Sequence, residues 1–184
     1  MLRTLRDYQY DAVRFLARHI YNGQQTVALT SPTGSGKTLV AQFLLETLLA
    51  TDRFSRALVV APQVQIEEGF IPNGGDRIQA PASKAGYIHV SPEVTVKQGG
   101  HGWVQCRTSR TSPQKFLSAN VPRHKVVVTT HSAVARWHRA EGFLPADLKG
   151  CILLVDETHR ASLKNQVGAV TTEWERLGGT VIHM

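Results

Sequence analysis

The stretch Leu29-Thr30-Ser31-Pro32-Thr33-Gly34-Ser35-Gly36-Lys37-Thr38 sets a glycine-bearing loop between an apolar, β-rich run (Thr26 to Leu29) and a long helical run (Leu39 to Ala50). Gly34 and Gly36 free the backbone to curl its N–H groups around phosphates, at a helix N-terminus whose dipole favours anions. In that arrangement Thr33, Gly34, Ser35 and Gly36 form the cradle, Lys37 reaches the β- and γ-phosphates of a nucleoside triphosphate, and the Thr38 hydroxyl holds Mg²⁺. The strict form of the pattern wants glycine at position 31, where this chain has Ser31.

A second segment completes the reading. Cys151-Ile152-Leu153-Leu154-Val155 is a continuous apolar run with a β-branched bias, closed by Asp156-Glu157-Thr158-His159. Such a run reads as a strand buried on both faces, hence a parallel sheet. Acidic residues at its C-terminal end stand where α/β sheets bind ligands. Asp156 is placed to hold Mg²⁺ through water, and Glu157 to orient and deprotonate an attacking water. Two carboxylates opening a solvated helix are common elsewhere, and the phosphate loop upstream favours the chemical reading.

Alternating strands and helices fill the rest. Asp7 to Ile20 reads as an amphipathic helix with Tyr8, Ala12, Phe15, Leu16 and Ile20 on one face, ended by Asn22-Gly23. Ala57 to Ala61 and Lys125 to Thr129 read as buried strands, the latter followed by a helix from Ser132 to about Arg139. A further helix runs through Trp174 and Leu177 to Gly178-Gly179, and Thr180 to Met184 begins another strand. This order predicts an α/β fold with a doubly wound, mainly parallel sheet in one domain spanning 1–184. Asn73 to Asn120, rich in Gly, Pro, Ser and Lys/Arg, reads as a partly irregular insertion with short β-like pieces at Tyr87 to Val90 and Val94 to Lys97.

At 184 residues, 42% hydrophobic and 19% charged, the composition fits a globular domain with its own core. No apolar run approaches the roughly 18 residues of a membrane span, and the N-terminus shows no signal-peptide core. Cys106 and Cys151 lack metal-ligand spacing and suit a reducing cytoplasm. The eight histidines are scattered. Between Arg77 and Arg139 stand ten Lys/Arg and one acid, Glu93, a local charge of +9 against +7 for the whole chain. Trp103, Phe116 and Trp137 lie among them, a mixture that suits a polyanion groove as well as a solubilising surface.

With these residues in place, the chain resembles the first RecA-like lobe of a superfamily 2 helicase or translocase, of the DEAD/DEAH-like and type III restriction-like kind, over nearly its whole length. Leu5-Arg6-Asp7-Tyr8-Gln9 is similar to the adenine-recognition motif of such motors, which implies that Gln9 meets the adenine edge and Arg6 stacks or braces. Val59-Val60-Ala61-Pro62-Gln63-Val64-Gln65-Ile66 resembles the motif that grips the nucleic-acid backbone, here without the usual arginine and with Gly69 where glutamine is frequent. Val128-Thr129-Thr130-His131 resembles the later backbone-contacting motif, although Thr129 and Thr130 equally suit a helix cap. Asp156-Glu157-Thr158-His159 is similar to the DEAH-type box, with His159 in the place that couples nucleotide to nucleic acid.

The resemblance implies ATP and Mg²⁺ as cofactors, nucleic acid as partner (DNA favoured over RNA), contacts through Pro62, Gln63, Thr129, Thr130 and His131, no membrane, and a cytoplasmic setting. It also implies a second RecA-like lobe supplying arginines to the transferring phosphoryl group, worth about a thousandfold or more in rate. The chain alone is therefore expected to bind Mg-ATP and hydrolyse it weakly. The rival readings are a standalone nucleic-acid-binding or regulatory module, and the motor part of a restriction system.

Overall fold

The computed structural model describes residues 1–63, 69–71, 75–84, 90–106, 113–139, 144–157 and 166–184. Six strands form a wholly parallel sheet: β2 (Thr26–Ala28), β3 (Arg56–Ala61), β6 (Trp103–Gln105), β7 (Val126–Thr130), β8 (Cys151–Val155) and β9 (Thr180–His183). Their spatial order is β2-β9-β8-β3-β7-β6. A smaller sheet joins β1 (Leu2–Thr4), β4 (Asp76–Gln79) and β5 (Glu93–Val96) in the order β1-β4-β5. The helices are α1 (Asp7–Tyr21), α2 (Lys37–Leu49), α3 (Pro113–Ser118), α4 (His131–His138) and α5 (Gln166–Arg176).

Strand alternation divides the apolar runs between two layers. Ala57, Val59, Ala61, Val126, Val128, Ile152 and Leu154 face the side of α1, α2 and the small sheet. Leu58, Val60, Val127, Leu153, Val155 and Val181 face the side of α3, α4 and α5, where Val134, Val167 and Trp174 pack. Helices therefore cover both faces, which is why the central strands are apolar throughout. The fold is the α/β RecA-like arrangement that the sequence pattern predicts. Among the described residues no helix is long and apolar enough to cross a membrane.

α2 is buried almost all round, between the large sheet and α1. Two polar side chains on it are satisfied inside. Gln42 Nε2 donates to the Phe70 carbonyl at 2.8 Å, and Glu46 accepts from Trp103 Nε1 (2.8 Å) and Lys125 Nζ (2.6 Å).

The buried face of α1 differs from the one expected. α1 buries Gln9, Tyr10, Val13, Leu16, Ala17 and Ile20, leaving Tyr8 51% and Phe15 58% exposed. The buried face centres on Tyr10, Val13 and Ala17, whose i, i+3, i+7 spacing sets the inward stripe. Within the 73–120 region, β5 overlaps the β-like piece expected at Val94 to Lys97; β4 and β5 bury Ile78, Val94 and Val96 in the core beside α2, and β6 edges the main sheet. The β-like piece at Tyr87 to Val90 falls almost wholly outside the described residues.

Three cations of the basic run meet acidic partners. Arg77 pairs with Glu93, Lys84 with Asp11 and Lys125 with Glu46. Arg107 and Arg110 lie outside the described residues. The sequence places these cations close together along the chain, whereas the acids that meet Lys84 and Lys125 come from α1 and α2.

Candidate functional site

All six strands of the main sheet are parallel, so their C-terminal ends share one edge, and the predicted site residues collect there. The loop after β2 turns into α2 through Gly34 (φ 79°) and Gly36 (φ 83°), both in the left-handed region that favours glycine. At Gly36 a Cβ would stand 2.3 Å from Gln9 Nε2, whereas at Gly34 it would meet nothing within 4 Å. Ser31, in the place of the missing glycine, puts its hydroxyl 2.6 Å from that of Ser35 and closes the loop across its mouth. Thr33 and Gly34 are exposed, and Ser35, Gly36, Lys37 and Thr38 are half-buried at the start of α2. A cavity of about 490 Å³ opens beside them, lined by Leu29, Ser31, Thr33, Lys37, His183 and Met184.

Asp156 follows β8 directly, and β8 is separated from the loop strand β2 by β9. It is 6% exposed, and burial raises its carboxyl above the ordinary range. The Glu157 backbone N–H donating to Oδ1 (3.0 Å), and the charges of Lys37 and His131, oppose that rise. Glu157 follows at φ 52°, the only non-glycine residue in the left-handed region among the described residues. Such a conformation costs free energy and concentrates at functional sites.

A buried carboxylate after β8, a lysine and a threonine at the start of α2, and a loop turned by two left-handed glycines fit a magnesium-bound triphosphate. Among the described residues no group of three or more His, Cys, Asp or Glu stands together.

The other expected residues divide. Arg6 opens α1 as its exposed N-cap, and its backbone N–H donates to Gln9 Oε1 at 2.9 Å. Gln9 Nε2 donates to the Ser35 carbonyl at 2.8 Å, so the amide expected to read adenine is tied to the phosphate loop. Pro62 and Gln63, half-buried and exposed respectively, follow β3 on the same edge. His131 Nε2 sits 3.0 Å from the Asp156 carbonyl oxygen, which it meets as a donor.

Thr129 and Thr130 stand at the end of β7. Thr129 is 1% exposed. The Thr130 hydroxyl accepts from the Ala133 N–H at 3.2 Å and caps α4. Thr158 and His159 lie outside the described residues. The sequence reading missed Tyr8, whose hydroxyl donates to the Ser35 carbonyl at 3.0 Å, and His183, which lines the cavity from β9. Tyr8 was legible only as Gln9's neighbour, because its aromatic ring suggested a core position.

The sequence matches the family described as "Type III restriction enzyme, res subunit" over residues 3–178. The chain belongs to that family. It is a helicase-like N-terminal lobe of the superfamily 2 kind, as its motifs predict. It is also similar to the type I restriction enzyme EcoKI endonuclease subunit of Escherichia coli (strain K12), 39% identical over 64 residues. That match covers 35% of this chain and 6% of the length of the type I protein. A larger cavity, about 610 Å³, lies at the opposite end of the sheet beside Lys97, His101 and Lys125, away from the family's motifs.

Proposed function

We propose that this chain is the ATP-binding lobe of a nucleic-acid motor in a restriction system, hydrolysing ATP to move on DNA in preference to RNA. The observation that carries the reading is a loop turned into α2 by two left-handed glycines, Gly34 and Gly36, on the same edge of the parallel sheet as the buried Asp156. The loop N–H groups and Lys37 bind and orient the triphosphate. Thr38 and Asp156 would hold Mg²⁺, which supplies charge neutralisation to the phosphates when bound. Glu157 positions a water and takes its proton as the water oxygen bonds to the γ-phosphorus and the bond to the β–γ bridging oxygen breaks, leaving ADP and phosphate. A second lobe closing on the same edge would supply arginines, so the lobe by itself turns over weakly.

Nucleic acid would lie along the same C-terminal edge, against Pro62, Gln63 and His131, through backbone contacts that fix position without reading bases. His159 would couple that strand to the nucleotide. The membership in a restriction family, and the likeness to a type I endonuclease subunit, support a restriction motor over a standalone binding module.

The test is ATP turnover by the native protein with and without duplex DNA or RNA, compared with its Glu157→Gln variant. The reading predicts turnover stimulated by DNA above RNA, and a variant that still binds ATP but is slower by about 10²–10⁴-fold. Unstimulated turnover, or an unimpaired Glu157→Gln protein, would contradict it.

A further inference from the structure

The Ser35 carbonyl in the phosphate loop is held by two side chains. It accepts from the Tyr8 hydroxyl at 3.0 Å and from Gln9 Nε2 at 2.8 Å, both at the first turn of α1. Gln9 is anchored at its other end, since Oε1 accepts the Arg6 N–H, and it is 5% exposed. Tyr8 differs: its ring is half in solvent, and the hydroxyl reaches inward to the loop.

The consequence follows from peptide geometry. The Ser35 C=O and the Gly36 N–H belong to one planar trans unit and point in opposite directions. Holding the carbonyl against α1 therefore turns the Gly36 N–H away from α1, toward the concave side of the loop. Gly36 sits at φ 83°, ψ 31°, a conformation that the permissive glycine backbone easily leaves. Two donors on one acceptor oppose such a peptide flip.

We propose that Tyr8 is a positioning residue of the nucleotide site. With Gln9 it forms a two-donor clamp on the Ser35 carbonyl that aims the Gly36 N–H at a phosphate. This rests on the nucleotide-binding reading above and adds a residue to it. The clamp acts on phosphate recognition and not on the base, so its signature appears with a ligand that has no base.

The experiment is calorimetric titration of the wild type and Tyr8→Phe with ATP and with inorganic tripolyphosphate, both in Mg²⁺, alongside thermal melts. Tyr8→Phe keeps the ring and removes one hydrogen bond, so both ligands should weaken by the same factor, about threefold to tenfold. The melting temperature should stay close to that of the wild type, because the ring is half-exposed. If ATP weakens and tripolyphosphate does not, Tyr8 serves the base and the clamp is refuted. Unchanged affinity for both also refutes it. A wild type that binds neither ligand removes the nucleotide site itself, a separate failure.

Discussion

Replacing Gly36 with alanine tests the loop geometry most sharply, because the structure supplies a matched control in Gly34. Both glycines sit near φ +80°, at 83° and 79°. Alanine in the left-handed region costs about 1–2 kcal/mol. At Gly34 the cost stops there, since no atom lies within 4 Å of the added Cβ. At Gly36 the Cβ arrives 2.3 Å from Gln9 Nε2, so the amide must leave the Ser35 carbonyl. That strands a buried donor at about 1–3 kcal/mol, bringing the total for Gly36→Ala to roughly 2–5 kcal/mol. In a chain of this size each kcal/mol lowers Tm by about 2–4 °C.

The assay is thermal unfolding of the two single variants, then of Gly36→Ala in a Gln9→Ala background. Gly36→Ala should melt clearly below Gly34→Ala. Once Gln9 is shortened, the added cost of Gly36→Ala should fall to that of Gly34→Ala, because the collision is gone. Equal melting of the two single variants would refute the reasoning, and so would a Gly36→Ala penalty unchanged by the loss of the Gln9 side chain.

Two further outcomes follow from the buried polar groups. Lys125→Met leaves the Glu46 carboxylate buried with Trp103 as its donor, costing about 2–4 kcal/mol after discounting Lys125's partial exposure; urea unfolding should show this loss and its substantial recovery in Lys125→Met/Glu46→Gln. Burial holds the His183 imidazole below its ordinary pKa, with Glu175 pulling the other way. The unfolded chain therefore binds the extra proton first, so stability falls as pH drops below about 6.5, by at most about 1.4 kcal/mol per pH unit. Melts from pH 7.5 to 5 should show a shallower acid-side loss in His183→Gln than in the wild type, and identical slopes would remove His183 from the account.

What the sequence made legible was what local pattern determines. Ala57 to Ala61 and Cys151 to Val155 announce themselves as strands because a parallel strand covered on both faces has no reason to alternate. The loop from Ser31 to Thr38 is legible because phosphate binding demands glycine and lysine at fixed offsets. The small sheet was not legible: Leu2-Arg3-Thr4 and Asp76-Arg77-Ile78-Gln79 are largely polar, and they pair across more than seventy residues with no turn to signal it. The partners within the basic run were hidden for the same reason, since Asp11 and Glu46 stand far along the chain from Lys84 and Lys125. Thr129 and Thr130 look alike in sequence. Only the strand's passage into the sheet separates a buried residue from a helix cap.

The central claim is that the Ser31 to Thr38 loop binds a magnesium-bound triphosphate through Lys37. Calorimetric titration of Mg-ATP into the wild type and into Lys37→Ala tests it most directly. The account predicts saturable one-to-one binding by the wild type that is lost or greatly weakened in Lys37→Ala, with both proteins melting as folded domains. Equal affinity in the two proteins, or no binding by a folded wild type, would contradict it.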